Sequence, residues 1–286
     1  MTHAALGLVL AAAFVHATWN FLAKRAGGGA AFVWLFGVLS TAMYAPLAAA
    51  VVIWQRPHVG PIQIVFLAGT AVLHLAYFLA LQAGYRAGDL SLVYPLARGT
   101  GPMLSTAAAI LVLGERPTPV ALAGTLLIGA GIFLLAAGPH ALGRHGSGQP
   151  VAFAIVTGAI IAAYTLWDKH AVSALTIPPL LLDWCNNFGR VAFLTPLALR
   201  RREEVRALWR THRSAALWIA ALTPLAYLLV LTAMVRTPVS YVAPAREISI
   251  LIGTVMGTRL LGEGDTTRRL IAAAAMVGGV SALALG

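Results

Sequence analysis

Apolar runs long enough to cross a lipid bilayer recur ten times along this chain of 286 residues, and that recurrence restricts it to a membrane fold. A helix needs about 20 consecutive apolar residues to span the hydrocarbon core. The runs lie near 4–23, 31–54, 62–85, 90–113, 118–137, 151–169, 178–199, 214–235, 239–261 and 269–285. Turn chemistry separates them: Gly27-Gly28-Gly29, Gln55-Arg56-Pro57, Gly114-Glu115-Arg116-Pro117 and Ile177-Pro178-Pro179. Hydrophobic residues make up 59% of the chain and charged ones 10%, with a mean hydropathy of +0.83, whereas a soluble domain carries roughly 25% charged residues. These values exclude a soluble enzyme, a disordered chain and a disulfide scaffold. The expected fold class is an all-α integral membrane protein with ten transmembrane helices, in a bacterial-type cytoplasmic (inner) membrane. The first run has no basic residues before it and ends in Lys24-Arg25, so it is expected to stay as a helix rather than be cleaved as a signal peptide. Cys185 is the single cysteine, and neither an intramolecular disulfide nor a metal site is expected of it.

The two halves of the chain resemble each other. Leu75-Ala76-Tyr77, Arg86, Ala97-Arg98 and Gly114-Glu115 in the first half are answered by Leu225-Ala226-Tyr227, Arg236, Ala245-Arg246 and Gly262-Glu263 in the second. Ala-Arg precedes Gly-Glu by the same separation in both, and a proline stands before each arginine, Pro95 and Pro244. Trp19 with Lys24-Arg25-Ala26 has an echo in Tyr164 with Lys169-His170-Ala171. The division is a first five-helix repeat over 1–138, a linker over 139–150 and a second repeat over 151–286. Five crossings is an odd number, so the second repeat must lie upside down. Inverted repeats are the common plan of secondary transporters, with the solute site at the repeat interface near the midplane.

Over essentially its full length the chain resembles the EamA-like ten-helix branch of the drug/metabolite transporter superfamily. The most specific parts of the match are the proline-bearing fourth and ninth runs leading into Gly114-Glu115 and Gly262-Glu263. The resemblance implies two inverted halves around a central cavity, alternating access without ATP, and transport of a small metabolite or drug, often outward. It says little about the solute. Two features depart from the family pattern: the polar first run, with His16, Trp19, Asn20 and Lys24, and the stretch Arg200–Arg213, read as a loop holding six arginines.

Polar residues inside the runs are the candidate machinery, because ionisable groups in a bilayer face the bundle interior or a wet cavity. Arg98 and Arg246 occupy matching mid-membrane positions, and Pro95 and Pro244 are expected to bend their helices beside them. Two readings of the arginines stand side by side: a clamp on a carboxylate or phosphate, and a structural ion pair with Glu247. Asp183, Asn186, Asn187 and Arg190 fall at i, i+3, i+4 and i+7, on one helix face. Asp183, Asn187 and Arg190 are structural or coupling candidates, read as a polar seam gluing helices together. His16, Trp19, Asn20, His74, Tyr77, Tyr94, Tyr227 and Tyr241 complete the candidate solute wall. Lys24 and Lys169 are expected to snorkel to the interface, with Asp168 ambiguous beside Lys169, while Glu115 and Glu263 are expected to cap or pin loops.

The expected function is secondary transport, as an exporter, of a small anionic or zwitterionic metabolite such as an amino acid or organic acid. Its partners would be that solute, membrane lipid and a proton as candidate coupling ion. The proton candidates are Glu247, Asp183, His16 and His74. No cofactor and no nucleic acid are expected: the net charge of +11 reads as loop arginine held at an anionic lipid surface. The alternatives are a flippase for lipid or lipid-linked sugar, and, with less support, a membrane-embedded enzyme. If Asp183 and Glu247 each neutralise one of Arg98, Arg190 and Arg246, one positive charge remains for the solute. Odd-numbered loops hold most of the lysine and arginine, which by the positive-inside rule puts both termini outside. The family resemblance puts both inside. On the charge count, a reporter fused after Gly286 is expected to be active on the periplasmic side only, and cytoplasmic activity would reverse the orientation.

Overall fold

A computed structural model describes residues 1–26, 29–88, 90–136, 148–261 and 266–286. Eleven helices run through these residues: α1 (His3–Arg25), α2 (Ala30–Gln55), α3 (Pro61–Ala87), α4 (Leu90–Leu113), α5 (Pro119–Ala136), α6 (Gln149–Ser173), α7 (Pro179–Arg200), α8 (Arg202–Arg236), α9 (Val239–Ala245), α10 (Ile248–Leu261) and α11 (Thr266–Leu285). Six of them, α1, α2, α3, α4, α6 and α8, are long and apolar enough to cross a membrane, and α5 and α11 are shorter apolar helices. Large apolar side chains point outward, with Leu111 84% and Trp54 82% exposed. Such a surface is stable only against lipid. Most of the linker 139–150, together with Gly262 and Glu263, lies outside the described residues.

The packing follows a pseudo-twofold axis. With α1–α5 matched in order to α6, α7, α8, the α9–α10 pair and α11, contacts come in exchanged pairs. The α1–α8 contact mirrors α3–α6, and α4–α6 mirrors α1–α10. Three contacts join an element to its own counterpart: α2–α7, α4–α9 and α5–α11. The halves are therefore interleaved rather than set side by side, and five crossings in each fix the inversion.

Three expectations change. The ninth run is two helices, α9 and α10, broken at Arg246 and Glu247. Pro244 cannot donate a backbone bond, and the N–H groups of Glu247, Ser249 and Ile250 reach back only three residues, to Pro244, Arg246 and Glu247, at 3.1, 3.2 and 2.9 Å. By contrast α4 is helical through its own proline, Pro95. The arginine-rich stretch is helical too: α7 ends at Arg200, α8 starts at Arg202, and the axis kinks at His212, with φ −128° and ψ 23°. Glu203 and Glu204 sit in the first turn of α8, where the helix dipole favours them. Arg206 donates to Glu203 at 2.9 Å and Arg201 approaches Glu204 at 3.6 Å. Lys169 does not snorkel. Its Nζ donates to the carbonyls of Met234 and Thr237 at 2.7 and 3.1 Å, closing the C-terminus of α8.

A matching closure holds the start of α9. Gly114 takes φ +67°, a left-handed turn natural to glycine, just after α4. The next residue, Glu115, accepts the N–H groups of Val239 and Ser240 at 2.7 and 2.9 Å. It caps a helix of the other half.

The α5–α11 contact depends on glycine. A Cβ at Gly124 would lie 2.6 Å from the Gly279 carbonyl oxygen, and one at Gly279 would lie 2.6 Å from that of Gly124. Backbones this close are the means by which membrane helices gain dispersion contact. Gly279→Val is expected to lower the unfolding temperature in detergent by the equivalent of ~1–3 kcal/mol of overpacking. Gly278→Ala, at a position with nothing within 4 Å, should leave it unchanged.

Candidate functional site

The interleaved helices leave a cavity of about 330 Å³ at their centre. That is at the small end of the ~300–1,000 Å³ typical of ligand sites. The first span contributes His16, Trp19 and Asn20 to its wall, α3 contributes His74 and Tyr77, and α4 contributes Tyr94 and Arg98. From the second half come Tyr164 on α6, Tyr227 on α8 and Arg246 at the α9–α10 break. Asp183, Asn186, Asn187 and Arg190 of α7 also line it, so the polar seam faces the cavity rather than serving only as glue. Of the candidate wall, Tyr241 and Glu247 are not on the cavity surface. Tyr241 takes the Thr118 N–H at 3.3 Å and donates to the Gly286 carbonyl at 3.3 Å.

Glu247 lies behind the wall with no solvent exposure, between the two arginines. Its Oε2 is 2.7 Å from Arg98 Nη2, and its Oε1 accepts from Arg246 Nε at 3.2 Å. The Arg98 contact is an ion pair rather than an aligned hydrogen bond, and Arg98 Nε has no acceptor among the described residues. The ion-pair reading describes both arginines. Both arginines are paired, but to a single carboxylate, so the cluster keeps one positive charge. Helix breakage puts Arg246 there. With α9 ending at Ala245, the side chains of Arg246 and Glu247 leave a tight turn instead of opposite sides of a continuous helix.

A second polar cluster was not legible as such. Asp168 is fully buried, and its Oδ2 accepts from the Tyr227 hydroxyl at 2.5 Å and lies 2.9 Å from His74 Nε2. The His74 ring stacks on Tyr164 with centroids 4.2 Å apart, and the Tyr164 hydroxyl accepts from Arg246 Nη2 at 3.3 Å. Tyr77 meets Tyr164 edge-on at 5.7 Å, and His16 meets Trp19 edge-on at 5.0 Å. Tyr164 thus links the aromatic wall to the arginines. On α7, Asn187 Nδ2 donates to Asp183 Oδ2 at 3.0 Å, and its Oδ1 accepts from Arg190. Asp183 and Arg190 communicate through that amide and make no direct ion pair. Asp168 joins the inventory as a third acid, so three arginines face three carboxylates, and the expected surplus positive charge is cancelled across the cavity as a whole. Among the described residues no group of three His, Cys, Asp or Glu side chains is placed to hold a metal ion.

A chain with this architecture has known relatives by family. Residues 3–137 and 149–285 each match the EamA-like transporter family. The protein belongs to the EamA-like transporter family. It is thus a multi-pass membrane transporter of the drug/metabolite superfamily with duplicated halves, and small molecules are its substrate class. A solved crystal structure superposes with a TM-score of 0.78 at 17% identity, covering 100% of this chain and 98% of that one, which shows a shared fold. No curated protein matches the chain.

In this EamA-like transporter, Glu247 is the shared counter-charge of two buried cations. Glu247→Gln is expected to destabilise the protein by ~3–5 kcal/mol, since it leaves both uncompensated. Thermal unfolding in detergent reads the loss. Adding Arg246→Gln should not restore stability, because Arg98 remains without its partner.

Proposed function

We propose that the protein is a secondary transporter for a small zwitterionic metabolite with a carboxylate and an ammonium group, such as an amino acid, moved by alternating access through the central cavity. The observation that carries this is charge separation within a balanced cavity. The Arg98–Glu247–Arg246 cluster retains one positive charge at the wall, while Asp183 lines the same space elsewhere and Asp168 lies buried behind the lining residues His74 and Tyr227. A guanidinium offers a planar pair of donors to a carboxylate. The rings of Tyr77 and Tyr227 on the cavity wall offer an ammonium group the negative side of an aromatic ring. A net anion would leave the loaded cavity with uncompensated negative charge, which a low-dielectric site penalises. A zwitterion leaves the balance unchanged. Export, in an inner membrane, is the direction and place we assign, on the strength of the family resemblance.

Proteoliposomes given a labelled amino-acid mixture, a dicarboxylate or a hydrophobic amine are expected to take up the first in preference to the others. Arg98→Gln should reduce that uptake by about 10–100-fold, the equivalent of a lost charge-assisted bond, with insertion intact. Arg98→Lys should recover part of it. Preferential uptake of the amine, or scrambling of a labelled lipid with no amino-acid uptake, would overturn the reading.

A further inference from the structure

The Asp168 cluster has no role in holding the solute's carboxylate, yet its chemistry is specific. We propose that Asp168, His74 and Tyr227 form a proton-carrying site and that the transporter exchanges its solute for a proton at this site. The inference rests on the zwitterion reading for the identity of the solute, but not for the proton site itself.

Asp168 has no exposure, one oxygen takes both of its polar neighbours, and Oδ1 has no hydrogen-bond partner among the described residues. No arginine or lysine among them lies within ion-pair distance of it, and the adjacent Lys169 is committed to the end of α8. A lone carboxylate in such a place is costly unless something neutralises it. His74 is the one basic group in contact, and imidazole becomes a counter-charge only by binding a proton.

Access is also built in. His74 retains 13% side-chain exposure and lines the cavity, as Tyr227 does. With Asp168 ionised and His74 neutral, Nε2–H donates to Asp168 Oδ2 and the other ring nitrogen has a free lone pair. A proton delivered by cavity water adds there, giving an imidazolium–carboxylate pair with no other bond made or broken. The water left behind returns to the pool as hydroxide, or as neutral water when hydronium is the donor. Unloading reverses the step.

Tyr227 then connects this proton to the solute. The imidazolium would meet the Tyr227 ring edge-on with centroids 5.3 Å apart, on the aromatic wall that receives the solute's ammonium. Two cations do not share that wall, so loading a proton expels the ammonium and the reverse. Mutual exclusion at one site is the condition for exchange. The other charged and titratable groups lining the cavity with His74 and Tyr227 are His16 on α1, Tyr77 and Tyr85 on α3, Tyr94 and Arg98 on α4, Tyr164 on α6, Asp183 and Arg190 on α7, and Arg246 at the break.

Two measurements separate this site from the solute assignment. Infrared difference spectra of the reconstituted protein, acid minus neutral and without solute, are expected to show imidazole protonation in the wild type. One imidazole's share of that signal should be lost in His74→Gln and altered in Asp168→Asn, which keeps an acceptor for Tyr227 and should preserve folding. Spectra unchanged from wild type in both variants would overturn the proton site. In wild-type proteoliposomes loaded with the amino-acid mixture, an inward proton gradient should speed efflux severalfold and alkalinise the side the protons leave. Efflux that ignores the gradient would overturn the exchange while leaving the zwitterion reading intact. Absence of any amino-acid transport would refute the zwitterion reading and the exchange of that solute, and the infrared result would then decide the proton site alone.

Discussion

One carboxylate shared by two guanidinium groups is the constraint on which the rest of the protein depends. Glu247 has no contact with water, and neither Arg98 nor Arg246 has another acid within ion-pair distance among the described residues. An isolated charge in the bilayer core would drive the group to the surface or out of the fold. The cluster instead holds α4 to the α9–α10 break, and so joins the two halves at their deepest point. Its geometry requires the helix to stop at Ala245, because the tight turn that follows lets both side chains approach Arg98's helix. On the proposed reading, the two arginines that Glu247 holds in place are also the groups that meet the solute.

The twofold relation explains most contacts, and its violations mark the chemistry. Arg98 and Arg246 are counterparts in the repeat, and so are Tyr77 and Tyr227, yet neither pair has equal partners. Tyr227 donates to Asp168, whereas Tyr77 packs on the edge of Tyr164. The place of Asp168 in the first repeat is held by an apolar residue, Ala23 by the Lys24–Lys169 match. Around the cavity, the described acids Asp168, Asp183 and Glu247 all come from the second half of a duplicated scaffold. Alternating access by inverted repeats exchanges the conformations of the halves, but the chemistry inside stays polar in one direction.

Spans, turns and duplication were legible because they rest on length and periodicity, which the bilayer makes nearly obligatory. The family match covers both halves, in keeping with the repeat of Ala-Arg and Gly-Glu. What the sequence hid depends on depth and on partners far along the chain. Asp168 is ambiguous in the sequence because the sixth apolar run ends at 169, whereas α6 continues to Ser173 and carries Asp168 inside. Tyr164 was visible only as the echo of Trp19, although an echo of a candidate wall residue is itself a signal for the wall. The helix break at Arg246 was not separable from a bend, since Pro95 and Pro244 offer the same local chemistry and only the second helix is broken. Nor could the balance of charge be counted before the third acid was placed.

The glycine contact between α5 and α11 has a mechanical consequence. Gly124 and Gly279 bring the two backbones so close that neither helix can slide or roll without collision, and each helix belongs to a different half. Helices packed on larger side chains can shift by repacking rotamers, but where Gly124 meets Gly279 backbone faces backbone and no rotamer can yield. Any rocking between the halves must therefore hinge along α5 and α11, with the largest travel on the far side of the cavity. The last helix of each half acts less as a wall of the transport path than as the stationary edge of a door.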